Sequence, residues 1–489
     1  MWLSHMHRIK PPAMKARLLT ATLLLLSVWG CAVVYSTSEY QHVKLCLPVW
    51  LFVARHAIFL VAGAALFRTI QRRNIAKPII NMPWSIWCSL SLLVAGALYY
   101  YLDRDSFFRP VSLSLPGMVD VNGWQVGGWL FGTINPAIVS SCLFGLALVS
   151  QSHLSARSVT RVDETKAPQA PDDAGAANDV AKAFGAVPVR ANALCQKHGS
   201  WIVLTLTFLL LMRLLVASGD LGAVMLLLIA SLTALWVSGR RLTAVLCAGC
   251  LALFTYLEII QTSYRLSRWQ AWYDLSELNL NSYHHIQMCY SFFTGGWWGT
   301  GPLGSVREQF YLPQSSASST ASVLANEYGV IGFLMLSALW AFLFRLCLEA
   351  LRLESQRRGN AEFSLLHLSS ALLFCTVTFH LIFNTGFLPL SDFALPLFSH
   401  SGALTVLSYL VTGLAHKSLV QHKKSGSDVQ WTKGDLAWVA GLIIWFLMAG
   451  RAVQITFEPL QQYRSLNRPD QMPPLTSRGC LDIPALDKR

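Results

Sequence analysis

The sequence predicts an all-α polytopic membrane protein. Three observations carry that expectation. Of 489 residues, 54% are hydrophobic and 13% charged, a balance foreign to a soluble globule. Apolar windows of about 20 residues, the length needed to cross a bilayer, recur along most of the chain. The basic residues gather in clusters between these windows instead of spreading evenly.

A basic leader, 1–16, holds Arg8, Lys10 and Lys15 and runs into the first apolar window, 17–36. That window is too long for a signal-peptide core, and Ser36-Thr37-Ser38 makes a poor cleavage site, so it reads as an uncleaved first helix. Further windows fall near 50–69, 84–102, 130–149, 200–217, 220–238, 243–262, 322–346, 364–384, 394–414 and 436–456. The organisation expected is therefore membrane helices at 17–149, a cytoplasmic linker at 150–199, and membrane helices at 200–415 with a large outer loop at 263–321. A basic cytoplasmic loop at 416–435, an additional helix at 436–456 and an outward tail at 457–489 complete it. The linker contains Pro168, Pro171, Asp172, Asp173 and an alanine-rich run, with few bulky apolar residues, and reads as disordered.

Charge checks this count. Arg68, Arg72, Arg73 and Lys77 follow the second window, and Arg240 and Arg241 the sixth. Arg345, Arg352, Arg357 and Arg358 follow the eighth, and Lys417, Lys423, Lys424 and Lys433 the tenth. With a cytoplasmic N-terminus all four clusters lie inside, as the positive-inside rule requires, and the C-terminus lies in the periplasm. The net charge of +13 then reflects orientation and does not call for nucleic acid. The 11 cysteines sit mostly in apolar windows as small hydrophobes, and Cys247-x-x-Cys250 lacks a second ligand pair, so no metal site is read.

The outer loop carries the most information. From Gly295 to Gly332 it reads GGWWGTGPLGSVREQFYLPQSSASSTASVLANEYGVIG. The order Gly295-Gly296, Gly299, Gly301, Gly304, then Tyr311-Leu312-Pro313, then Glu327-Tyr328-Gly329 and Ile331-Gly332 resembles the large outer loop of the SEDS family. These are the FtsW/RodA/SpoVE-like polymerases of lipid II. Further motifs follow in the family's order. Val121-Asn122-Gly123, Trp129-Leu130 and Asn135-Pro136-Ala137 come first, then Asp220 in a Ser-Gly-Asp-Leu-Gly run. Arg265 and Arg268 match a pair of arginines, and Tyr283 and Gln287 a Tyr-Gln-x-x-Gln-Ser run in which His284 replaces the first glutamine. Asn384, Gly386, Leu388-Pro389, Leu395-Pro396 and Ser399-His400-Ser401-Gly402 close the series. The resemblance spans about residues 17 to 415 and implies a SEDS-like bundle of about ten transmembrane helices plus one additional C-terminal helix.

The resemblance also implies a bacterial inner-membrane protein of peptidoglycan assembly, serving cell division or cell shape, with lipid II as substrate and a class B penicillin-binding protein as partner. After the last window, Asn467-Arg468-Pro469 and Arg478-Gly479-Cys480-Leu481-Asp482 resemble the opening of such a partner over about thirty residues. An unrelated helix with a polar tail explains that stretch equally well.

Strand polymerisation needs a base for the acceptor hydroxyl, cations for the departing pyrophosphate and a furrow for a polyprenyl chain. In the family an aspartate a few residues past Leu-Pro-Glu is essential; registered on Leu312-Pro313 and Gly329, that position is Ser318. A serine accepts no proton at neutral pH unaided. Gly128 and Ile138 likewise stand where the resemblance implies an arginine and a glutamate, and Asn326 replaces the first of two glutamates. Asp274, Glu277 and Glu308 are carboxylates of the same loop that read as solvated charges or as displaced bases. The substrate-binding candidates are Asp220, Arg265, Arg268, Tyr283, Gln287, Arg307, Glu327 and Ser399. Asp220 reads equally as a helix cap, with Arg213 beside it, and the arginines as headgroup contacts. His284-His285 lacks a third metal ligand. A divalent cation with the pyrophosphate is the one cofactor the chemistry leaves room for.

The expectation is a SEDS-type glycosyltransferase, weakened or non-catalytic because Ser318 replaces the aspartate. A flippase for lipid-linked precursors and a non-catalytic scaffold for a class B penicillin-binding protein are the alternatives. An O-antigen-ligase-type transferase would share a large outer loop but not the Tyr-Leu-Pro and Glu-Tyr-Gly order.

Overall fold

The computed structural model describes residues 11–45, 48–104, 120–121, 124–125, 139–152, 200–216, 221–237, 249, 266, 269–270, 272, 280–305, 309, 311–355, 361–389, 393–421 and 433–457. The helices are α1 (Pro11–Leu45), α2 (Val49–Arg72), α3 (Ala76–Asn81), α4 (Trp84–Arg104), α5 (Val139–Ser152), α6 (Ser200–Val216) and α7 (Leu221–Val237). They continue with α8 (Leu280–Gly295), α9 (Thr320–Ser355), α10 (Ala361–Asn384), α11 (Gly402–Gln421) and α12 (Lys433–Phe457). Two-residue strands β1 (Asp120–Val121) and β2 (Trp124–Gln125) pair antiparallel. An apolar segment in lipid must satisfy its own backbone, which is why these runs fold as helices. Among the described residues α1, α2, α9, α10 and α11 each hold a run long and apolar enough to cross a membrane, and shorter apolar runs lie in α4, α5, α6, α7 and α12.

The bundle packs α11 against α1, α2, α9 and α10, with α9 also against α1, α8, α10 and α12. Its core is one continuous apolar cluster that includes Leu19, Leu23, Phe292, Phe333, Trp340, Leu373 and Phe398. At the basic ends Lys15 pairs with Glu349 at 2.9 Å, and Lys417 with Glu362 at 2.8 Å, the second pair largely buried.

α9 is broken at Gly329, whose φ of 70° and ψ of −174° suit only glycine. The glycine-rich segment 295–301 fits into the break. Thr300 N–H donates to Asn326 O at 2.9 Å and Gly301 N–H to Glu327 O at 3.0 Å. Val330 N–H donates to Gly296 O at 2.9 Å and Ile331 N–H to Trp297 O at 3.3 Å. The loop thus takes up the backbone groups that the break releases, the condition under which irregular backbone survives inside a membrane protein.

Two boundaries differ from the sequence expectation. The outer loop contains a regular helix, α8, that the apolar windows do not reveal, because its histidines, glutamine and serine interrupt the run. The tenth span begins at Gly402 and not at 394: Pro396 has no N–H to give and Leu397 has a φ of 68°, so 393–401 is irregular and buried. Residues 153–199, the span 243–262 apart from Gly249, and residues 458–489 lie outside the described residues.

Candidate functional site

The site is built where α8, the segment 311–320, the start of α9 and the irregular segments 385–389 and 393–401 meet. Ser318 lies in the last turn before α9 and is 5% exposed. Its hydroxyl donates to Gln314 Oε1 at 2.5 Å, and its carbonyl accepts from Asn384 Nδ2 at 2.8 Å. Asn384 Oδ1 accepts from the Ser322 amide at 3.2 Å and its hydroxyl at 2.9 Å, so one amide side chain pins both sides of the α9 start. Ser319 is fully buried; its hydroxyl donates to Pro313 O at 2.8 Å, which leaves it to accept from His284 Nε2 at 2.7 Å. His284 takes the place of the glutamine expected there and does a glutamine's donor work.

The two adjacent histidines point apart. His285 is 3% exposed and its Nε2 lies against Gly386, where an added Cβ would sit 2.8 Å away. Burial, reinforced by the Arg451 charge, lowers its pKa to about 4. Tyr283 is half-buried on the same helix, and burial, with Tyr311 nearby, pushes its phenol up. Gln287 is buried, its carbonyl accepting from Ser291 Oγ at 3.0 Å. Ser399 is fully buried and accepts from the Ser401 amide at 3.4 Å. His380 joins α10 to the site: Nδ1–H donates to Phe393 O at 2.6 Å and Nε2 accepts from the Ala321 amide at 3.3 Å.

Asn326 and Glu327 work on the loop side. Asn326 donates to Thr294 Oγ1 at 2.5 Å and accepts from Thr300 Oγ1 at 3.1 Å, tying α8 to the glycine-rich turn. Glu327 is 1% exposed; Oε1 accepts from Ser36 of α1 and from Ser305 at 2.6 Å. Gln309 bridges the two hydroxyls, donating to Ser305 Oγ at 2.8 Å and Ser36 Oγ at 3.4 Å. Glu327 is therefore turned away from the Ser318 segment and toward α1.

A second polar group, on α2 and 393–401, escaped the sequence reading. Arg55 donates to His400 Nδ1 at 2.6 Å, and His400 Nε2 lies 3.1 Å from Thr37 Oγ1. The His400 amide in turn donates to Ser316 O at 3.2 Å, which couples this group to the turn holding Ser318. Burial, and then the Arg55 charge and His56, hold the His400 imidazole well below its usual range, so it stays neutral. Arg55-His56 inside an apolar window was the available signal, since ionisable groups at membrane depth are expensive.

Tyr283, Gln287, Glu327 and Ser399 thus gather around the α8–α9 end of the bundle, although Glu327 faces its own cluster. Asp220, Arg265, Arg268, Arg307, Asp274, Glu277 and Glu308 lie outside the described residues. Among the described residues no three His, Cys, Asp or Glu side chains converge as metal ligands.

The family model for the FtsW/RodA/SpoVE cell cycle proteins matches residues 180–424, half of the chain. The chain belongs to the FtsW/RodA/SpoVE family. Among its relatives, a probable peptidoglycan glycosyltransferase FtsW from Hahella chejuensis is 28% identical over 377 residues, 74% of this chain and 79% of its own. A protein of the same description from Francisella salina is 26% identical over 203 residues, 41% of this chain and 50% of its own. The chain spans about half the length of several curated relatives it matches. A chain from a peptidoglycan synthase complex that coordinates polymerisation and crosslinking superposes with a TM-score of 0.48 at 17% identity, over 83% of this chain and 98% of that one. The rod shape determining protein RodA of Thermus thermophilus gives a TM-score of 0.37 at 16% identity, over 83% and 97%. At these scores the likeness says nothing further. The apolar helices and FtsW/RodA/SpoVE membership make this a multi-pass inner-membrane protein. The matched range ends before α12 and takes in the α9 break, where glycine is sterically required.

Proposed function

We propose that this protein handles a polyprenyl-diphosphate-linked saccharide of the lipid II type on the outer face of the inner membrane, and that its polymerising chemistry is weakened or absent. Glycosyl transfer requires the acceptor hydroxyl to attack C1 of the diphosphate-linked sugar. The C1–O bond to the diphosphate breaks, and the hydroxyl proton passes to a base. A positioned carboxylate contributes about 10²–10⁴-fold to such a step. The observation that carries the reading is the state of Ser318. A hydroxyl donating to Gln314 stands where the family resemblance implies an aspartate, and the carboxylate of Glu327 is sequestered by Ser36 and Ser305.

What is kept supports retention of binding. The glycine-rich loop is docked, the 393–401 segment is packed into the bundle, and Arg55 stands beside the neutral His400. The partner we infer is a transpeptidase of the class B penicillin-binding type, which would crosslink strands while this chain presents or holds the lipid-linked unit. We further infer a cytoplasmic N-terminus, from the four basic clusters.

The test is polymerisation of purified lipid II by this chain beside an active family member under identical conditions, with binding of fluorescent lipid II measured in parallel. Binding with a rate roughly 100-fold or more below the active relative is expected. Polymerisation at the relative's rate would contradict the reading.

A further inference from the structure

The cluster around Glu327 has more acceptors than donors. Ser36, Ser305, Gln309 and Glu327 are each no more than 1% exposed. The two serine hydroxyls both donate to Glu327 Oε1, and the two amide hydrogens of Gln309 go to the two serine oxygens. With the carboxyl ionised, that exhausts the side-chain donors of these four residues. Glu327 Oε2 and Gln309 Oε1 remain, both buried and without a hydrogen bond. The Leu303 amide approaches the carboxylate but does not satisfy Oε2. Among the described residues nothing compensates these two bare oxygens or the carboxylate charge when Glu327 is ionised, and a bound cation would satisfy both.

We propose that Glu327, Gln309, Ser36 and Ser305 bind a small monovalent cation. The ligands are all hard oxygens, which suit an alkali or alkaline-earth ion and not a transition metal. Charge selects between those two: one carboxylate is neutralised by one positive charge, whereas a divalent ion would leave a buried excess that nothing in the cluster offsets. The ion would join three separate elements, α1 through Ser36, the glycine-rich loop through Ser305 and Gln309, and α9 through Glu327, two residues before the break at Gly329. Its effect is to hold the loop docked. This inference is independent of whether the chain polymerises lipid II.

The experiment uses the purified full chain in detergent at fixed pH and ionic strength, with N-methyl-glucamine exchanged for Na⁺. Radioactive sodium binding and thermal unfolding are read together. Wild type should bind Na⁺ saturably and melt a few degrees higher as the site fills. In Glu327→Gln, which keeps the shape and removes the charge, both responses should vanish. Gln309→Glu supplies a second carboxylate and should shift the preference from Na⁺ to Ca²⁺. Three results would overturn the proposal: no sodium response in wild type, a response to Mg²⁺ or Ca²⁺ but not to Na⁺, or unchanged ion preference in Gln309→Glu.

Discussion

Replacing Gly329 by alanine should undock the glycine-rich loop. Two costs combine. The backbone at φ 70° and ψ −174° lies where side-chain-bearing residues pay about 1–3 kcal/mol. The new Cβ would also stand 2.2 Å from Trp297 O, 2.4 Å from its carbonyl carbon and 2.6 Å from Trp298 N. These are backbone atoms and cannot swing aside, so the loop must withdraw. Withdrawal breaks the four hydrogen bonds from Thr300, Gly301, Val330 and Ile331, each worth roughly 1 kcal/mol net. The sum is about 5–7 kcal/mol if the docking is lost whole, and about half that if the helix straightens to recover its own bonds. Thermal unfolding in detergent should fall by several degrees, and the Thr300 and Gly301 amides should lose protection from hydrogen exchange. Gly450→Ala, where an added Cβ meets nothing within 4 Å, is the control and should be neutral or mildly stabilising. A Gly329→Ala protein that melts with the wild type and keeps those amides protected would refute the docking argument.

Other outcomes follow from single contacts. Asn384→Ala should cost roughly 1–3 kcal/mol, because it strands the buried Ser322 hydroxyl and frees the Ser318 carbonyl, while the Ser322 amide keeps its bond to Ser319 O; a lowered thermal midpoint in detergent checks it. His285 is neutral in the fold with a pKa of about 4 against 6.5 when free, so the unfolded chain binds the extra proton between those values. Its contribution is whole above pH 6.5 and declines as pH falls toward 4, by at most about 3 kcal/mol. Melting curves across pH 7 to 4 should therefore show a shallower acid loss in His285→Gln than in wild type.

Much of the fold was legible because its signals are local. Apolar windows found the spans that the structure describes. The glycine order was legible for the same reason: a missing Cβ is written in the sequence even when the atom it would strike, Trp297 O, is not. What stayed hidden depends on pairing at long range. Arg55 and His400 are 345 positions apart, and Ser36 and Glu327 are 291 apart, so no window holds both. α8 was missed because its helix is held by packing on α9 and α12 and not by an apolar run of its own. The start of α11 was set too early because Phe393, Ala394 and Leu395 count as apolar while Pro396, one residue on, forbids the helix.

The most direct test of the central claim is Ser318→Asp in the lipid II polymerisation assay. The substitution places a carboxylate where the family resemblance implies one, just before the α9 start held by Asn384. If the scaffold still binds its lipid-linked substrate and lacks only a proton acceptor, polymerisation should rise by roughly 100-fold or more over wild type with binding little changed. A wild type already at full rate, with Ser318→Asp no faster, would contradict it.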